Sequence, residues 1–123
     1  MNEAVFKDLK VADFTWIIVG AVISRSLADC GATVVRVESI ASIDMLRVAP
    51  PFNGRKPGIN RSESFADYNC NKYALALNMK HPKARPVAQK LVIWADVVLD
   101  SFTPGIMEEW GLGYEDIKKL KGK

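Results

Sequence analysis

Histidine and cysteine are scarce in this chain of 123 residues: His81 stands alone, and Cys30 and Cys70 are the two thiols. A single imidazole excludes a two-histidine metal cluster and leaves at most one base for a hydrolytic triad. The two cysteines have no disulfide or zinc spacing, so both are read as small buried hydrophobes and no metal site is expected. Beside Pro82, His81 reads as a turn residue. Long apolar runs are also missing. The longest, Trp16 to Ile23, has eight residues and is soon followed by Arg25; a membrane span requires ~20, so the run is read as a buried core segment. No basic segment, apolar stretch and small-residue cleavage site open the chain, and the expectation is an unprocessed cytoplasmic protein with no membrane partner.

A strong net charge is lacking too. The formal charge is +3 from 17 Lys and Arg against 14 Asp and Glu, but Lys118, Lys119, Lys121 and Lys123 close the chain. Without these four, thirteen basic residues face fourteen acidic ones, so global charge gives no reason to expect a nucleic-acid partner. The charge is segregated locally. Tyr68 to Ala95 holds Lys72, Lys80, Lys83, Arg85 and Lys90 with no acid, and Asp96 to Asp116 holds six acids with no Lys or Arg. Such segregation marks either an anion site or solvated helix faces.

What is present is ordinary globular composition, 49% hydrophobic and 25% charged, at a length that buries one core without staples. Residues 10–14 read as a strand, Gly20 to Cys30 as a helix closed by Gly31, and Thr33 to Val37 as a second, β-branched strand. That is a βαβ unit of the doubly wound kind. From Ser39 to Glu63 prolines and glycines accumulate into a long loop. Lys72 to Asn78 alternates as a third strand, with Tyr73, Leu75 and Leu77 on one face. Pro82 opens a helix to about Ala95, although Pro86 delays its regular part to about Arg85. Asp96 to Asp100 reads as a fourth strand with an apolar centre, as if covered on both faces. Pro104-Gly105 starts a short helix to about Trp110, and Tyr114 to Leu120 forms the last one. The expected fold class is α/β, a Rossmann-like parallel sheet with flanking helices.

Strand, turn, helix and second strand ending in Glu38 reproduce the order of a dinucleotide-binding unit, with the acid 18 residues after Gly20. The fingerprint needs about three glycines for backbone to approach a pyrophosphate, and Val19-Gly20-Ala21-Val22-Ile23-Ser24 supplies one. A dinucleotide-binding oxidoreductase domain is therefore an alternative only. Ligands in open α/β sheets collect at the carboxyl ends of strands, which gathers Thr15 to Gly20, Glu38 to Arg47, Asn78 to His81, and Ser101 to Gly105. Helix starts near Gly20, Pro82 and Gly105, with Lys80 beside them, are candidates for holding phosphate oxygens.

Several segments together resemble the amino-terminal part of class III CoA-transferases, the family of formyl-CoA:oxalate and carnitine-type CoA-transferases, related to α-methylacyl-CoA racemases. They are Val11-Ala12-Asp13-Phe14, Leu27 to Glu38, Asp44-Met45-Leu46-Arg47, Asn69-Cys70-Asn71-Lys72, Leu75 to Lys80, Ala95 to Val98, and Phe102 to Glu108. The resemblance runs from about Leu9 to Leu120. It implies that residues 1–123 are the amino-terminal part of a CoA-binding large domain, within a homodimer whose two chains interlock. It implies coenzyme A, as acyl-CoA substrate, with a carboxylate as second substrate and no metal. An aspartate nucleophile of the covalent kind is implied beyond Lys123, since Asp13, Asp29, Asp44, Asp96 and Asp100 do not match its motif, so the fragment is expected to be inactive alone. A racemase of the same superfamily is the nearer alternative, its acid/base pair also falling past the end.

By resemblance, Leu77 and Lys80 match positions that contact the nucleotide part of CoA, and Phe102 one that packs near it. Asp44, Arg47, Asn71 and Lys72 are expected to shape the groove. The departures are Val19-Gly20-Ala21 for Ala-Gly-Pro, Ile18 where some transferases carry a polar substrate contact, Ser39 for a basic residue, Ser101 for an asparagine, and Glu109 for an arginine. An acid near phosphates repels them, which bears on CoA contacts at that corner. A segment cut from an interlocked dimer is expected to expose apolar surface, with Trp110, Leu112 and Tyr114 as candidates.

Overall fold

The computed structural model describes residues 4–122. Four strands, β1 (Lys10–Phe14), β2 (Thr33–Glu38), β3 (Tyr73–Ala76) and β4 (Val97–Asp100), form one parallel sheet in the order β3-β2-β1-β4. These are the first four positions of the 3-2-1-4-5-6 order of a doubly wound sheet. Helices α1 (Ile17–Asp29), α2 (Glu63–Tyr68), α3 (Ala84–Trp94), α4 (Ile106–Glu109) and α5 (Tyr114–Leu120) flank it, and two short 3₁₀ turns at Met45–Val48 and Asn53–Arg55 punctuate the long connection after β2.

Period-2 alternation divides the core. Val11 and Val34 pack with Ala28 and Ala32 on the α1 side, while Ala12, Phe14 and Val37 pack with Ala88, Val92, Met107 and Leu112 on the other. Each face of β1 thus meets its own apolar cluster, which is why almost every residue of this strand is buried. β4 lies at the sheet edge, yet Val97 and Leu99 join one cluster and Val98 the other, so both its faces are covered.

Helix α1 ends where the sequence indicates. Gly31 has φ 101°, its N–H donates to the Ala28 carbonyl at 2.9 Å, and the Ala32 N–H donates to the Leu27 carbonyl at 3.0 Å, the paired closure of a glycine-terminated helix. Its start and its orientation differ from the reading. The helix begins three residues earlier, at Ile17, because the carboxylate of the distant Asp44 accepts the Ile17 N–H. The apolar run is not buried. Gly20, Ala21, Ser24 and Ala28 face inward, whereas Ile18, Val19, Val22 and Ile23 are exposed. Close approach dictates this, since a Cβ on Gly20 would lie 2.1 Å from Thr15 Cβ; only a small-residue stripe fits against the sheet, and the aliphatics turn outward.

Other corrections are local. Tyr73 is 69% exposed because β3 is an edge strand, and the strand ends at Ala76, leaving Leu77 to Lys80 in the turn beyond it. Pro86 occupies the third position of α3, within the first turn, where its missing N–H costs no intrahelical bond. Cys30 is exposed and Cys70 half-buried, neither in the core, since both sit at helix ends. Leu112 is 1% exposed and Trp110 half-buried, so of the three surface candidates only Tyr114 stands out in solvent. Helix α2 begins at Glu63, the last residue of the stretch read as a loop, and runs through residues given no element in the sequence reading, with the Ser62 hydroxyl accepting the Phe65 N–H as its cap.

Candidate functional site

The carboxyl ends of all four strands surround one cleft of about 320 Å³. β1 contributes Phe14 and the connection after it Trp16, β2 Val37 and Glu38, the turn after β3 Leu77 to Lys80, and the segment after β4 Phe102 and Thr103. Trp110, from the end of α4, meets Phe102 edge-on with centroids 5.2 Å apart, and the Trp16 ring stands 6.0 Å from that of Phe102. The walls are therefore aromatic and aliphatic, an environment for a flat apolar group. Lys80 is exposed at the rim, its backbone N–H held by Asn78 Oδ1 at 3.1 Å. Of the residues singled out in the sequence, Leu77, Lys80 and Phe102 line this cleft, whereas Ile18 and Ser101 do not. Ile18 lies on the outward face of α1. The Ser101 hydroxyl accepts the Trp16 N–H at 2.9 Å and faces the Trp16 carbonyl at 3.3 Å, tying β4 to β1. Glu109 is exposed and outside the lining. Trp16 was gathered at the site only as part of the segment Thr15 to Gly20, and Trp110 was not placed there, although its position just past a short helix was the available signal.

Behind the cleft, on the α1 side, lies a buried ionic cluster. Asp13 and Arg36 are register partners on β1 and β2. Arg36 pairs with Asp44 and, at 3.0 Å, with Glu38; Arg47 binds Glu38 at 2.7 Å; and Lys72 Nζ lies 3.5 Å from Asp13. Three acids meet three bases, which makes burial of all six tolerable. Burial works to raise the Glu38 carboxyl, but hydrogen bonds from Arg47 and the Asp44 N–H, with the Arg36 charge, overcome it and hold the group below its ordinary value. Burial pushes the Lys72 ammonium down, and Asp13 offsets this only in part. Of the five residues of the basic stretch, Lys80 alone lines the cleft and Lys72 serves this interior cluster.

The same geometry fills each feature that a dinucleotide uses. Asp44 takes the Ile17 N–H at the α1 start, Arg36 and Arg47 hold the Glu38 carboxylate, and Gly20 is packed against Thr15. The other helix starts are capped from within the chain as well. The Lys83 N–H donates to His81 Nδ1 at 3.1 Å, which makes His81 the expected turn residue, and the Gly105 N–H donates to Glu108 at 3.1 Å. Among the described residues no group of three His, Cys, Asp or Glu side chains could hold a metal ion, and no helix is long and apolar enough to cross a membrane.

A parallel sheet of this order, with its cleft at the strand ends, agrees with the resemblance in the sequence, and the profile of the family described as CoA-transferase family III matches residues 6–123. The chain belongs to CoA-transferase family III. It is 34% identical over 120 residues to the succinyl-CoA:glutarate CoA-transferase of Homo sapiens, covering 97% of this chain and 26% of that protein. To the succinyl-CoA:mesaconate CoA-transferase of Haloarcula marismortui it is 36% identical over 112 residues, covering 91% of this chain and 28% of that one. The crystal structure of a CAIB/BAIF family protein from Brucella suis matches with a TM-score of 0.84 at 29% identity, covering 97% of this chain and 31% of that chain. This family III chain thus spans about a quarter to a third of the length of these relatives.

Proposed function

We propose that this chain supplies the coenzyme A cleft of an enzyme that moves CoA between an acyl-CoA thioester and a free carboxylate. The convergence of Leu77, Lys80 and Phe102 on one aromatic-walled cleft at the sheet's carboxyl edge carries this reading. The cleft suits a flat nucleotide base, and Lys80 supplies a cation for phosphate at the rim. CoA titrated calorimetrically into the chain is expected to bind, and Lys80→Ala to weaken it by roughly 1–2 kcal/mol, the scale of one charge-assisted hydrogen bond. Equal affinity for the two proteins would place the phosphates elsewhere.

The family resemblance implies covalent chemistry in which an aspartate carboxylate attacks the acyl carbonyl. The aspartates named above are committed to other partners: Asp13 to Thr15 and Lys72, Asp29 to Arg25 and Asn71, Asp44 to Arg36 and Ile17, Asp96 to the Lys10 N–H, and Asp100 to the Phe102 N–H. We infer that none is the nucleophile. Acyl exchange between CoA thioesters and free carboxylates is expected to stay at background with the purified 123-residue chain, and sustained turnover would overturn that assignment.

A homodimer is part of the same proposal. Ile18, Val19, Val22 and Ile23 form an uncovered aliphatic face on α1, a better candidate for association than the aromatic residues near Trp110. Sedimentation at rising concentration is expected to show self-association that Val19→Asp with Val22→Asp abolishes; a wild-type chain that stays monomeric would count against the dimer.

A further inference from the structure

Glu38 lines the cleft, and a bare carboxylate there would repel the phosphates of the ligand proposed above. Its carboxylate is not bare. Glu38 Oε1 accepts from Arg36 Nη1 at 3.0 Å and from Arg47 Nη2 at 2.7 Å, Arg47 Nε lies 2.9 Å from both oxygens, and the Asp44 N–H donates to Oε2 at 2.8 Å. Arg47 is itself fixed, with its guanidinium 3.7 Å from the Phe65 ring centroid and Nη1 donating to Asn60 Oδ1 at 2.7 Å and to the Ile59 carbonyl at 3.1 Å. Arg36 is held by Asp44 on its other side. Two guanidiniums and two carboxylates sum to zero, so this wall of the cleft carries no net charge.

We propose that Arg47 is a specificity-determining residue of the cleft: by neutralising Glu38 it turns an acidic wall into one against which a polyanionic CoA can seat. The inference rests on the CoA reading and adds to it a charge device distinct from Lys80. Arg47 acts through Glu38 and need not touch the ligand. Substitutions at the two residues therefore have opposite signs. Arg47→Met keeps an apolar stem over Phe65 and leaves Glu38 underneutralised, whereas Glu38→Gln removes the negative charge and keeps the shape.

The test is calorimetric titration of CoA itself into the wild-type chain, Arg47→Met, Glu38→Gln and the double variant, each checked by thermal melting. Arg47→Met is expected to weaken CoA about tenfold and Glu38→Gln to strengthen it about threefold, with the differences shrinking as salt rises. The double variant is expected to return close to wild type, a recovery that a purely structural role of Arg47 would not give. Glu38→Gln carries the test even if Arg47→Met does not fold. Weaker or unchanged binding by Glu38→Gln, or a double variant as weak as Arg47→Met, overturns the inference. A wild-type chain that fails to bind CoA overturns the underlying reading first, and that is seen before any variant is made.

Discussion

Asp44→Ala is expected to destabilise the chain by about 3–5 kcal/mol, the range for stripping one partner from a buried ion pair. Asp44 is fully buried and does three things at once. It pairs with the Arg36 guanidinium, accepts the Ile17 N–H at the start of α1, and accepts the Leu46 N–H at 2.9 Å to open the 3₁₀ turn after β2. Removing it leaves Arg36, which is 4% exposed and whose Nε already lacks a partner, with only the Glu38 carboxylate that Arg47 also binds. A domain of this size has only ~5–15 kcal/mol in total, so the loss should be visible as a large drop in the urea midpoint. Asp44→Asn, which keeps acceptor capacity but not charge, should fall between the two. A loss below about 1 kcal/mol for Asp44→Ala would mean that the cluster contributes little, as exposed pairs do.

The residues that make Asp44 central also show why the sequence disclosed some features and hid others. Strand β2 was legible from its β-branched residues, β3 from alternation and β4 from its apolar centre, and Gly31 because helix closure needs a left-handed residue at one defined place. The capping of α1 was hidden, since Asp44 lies 27 residues from Ile17 and only the fold brings them together. The orientation of α1 was hidden for a different reason. An apolar run normally marks the inward face, but contact between Gly20 and Thr15 is so close that bulk is excluded and the usual inference reverses. For the cleft, topology located the strand ends and resemblance selected Leu77, Lys80 and Phe102. Trp110 escaped, and Trp16 was not picked out within its segment Thr15 to Gly20, because nothing local distinguishes a cleft-lining tryptophan from a core one. The pairing of Glu38 with Arg47 escaped because an acid after a second strand suggests a ribose contact until its partners are seen.

Lys72→Met is expected to cost a further 3–5 kcal/mol of the same kind, from the opposite end of the cluster. Lys72 is almost wholly enclosed. Its Nζ donates to the Ala21 carbonyl and to Asn69 Oδ1, both at 3.0 Å, and faces Asp13 Oδ2 at 3.5 Å. Without the ammonium, the fully buried Asp13 keeps only the Thr15 N–H and hydroxyl on Oδ1, and Oδ2, which has no hydrogen-bond partner, loses the cation it faces. Adding Asp13→Leu should then restore part of the loss, because an apolar pair of similar volume is tolerated where a lone buried carboxylate is not. A pH series separates the charge effect from packing. Burial lowers the Lys72 ammonium below its ordinary 10.5, so in the interval between its folded value and 10.5 the unfolded chain binds more protons than the folded one. Stability from this residue therefore rises with pH across that interval and falls again as pH drops through the folded value. The wild-type chain should show this positive slope relative to Lys72→Met, while the deficit of the variant persists at neutral pH. Parallel stability profiles for the two proteins would mean that Lys72 titrates alike in the folded and unfolded states, and its burial in the cluster would lose its electrostatic consequence.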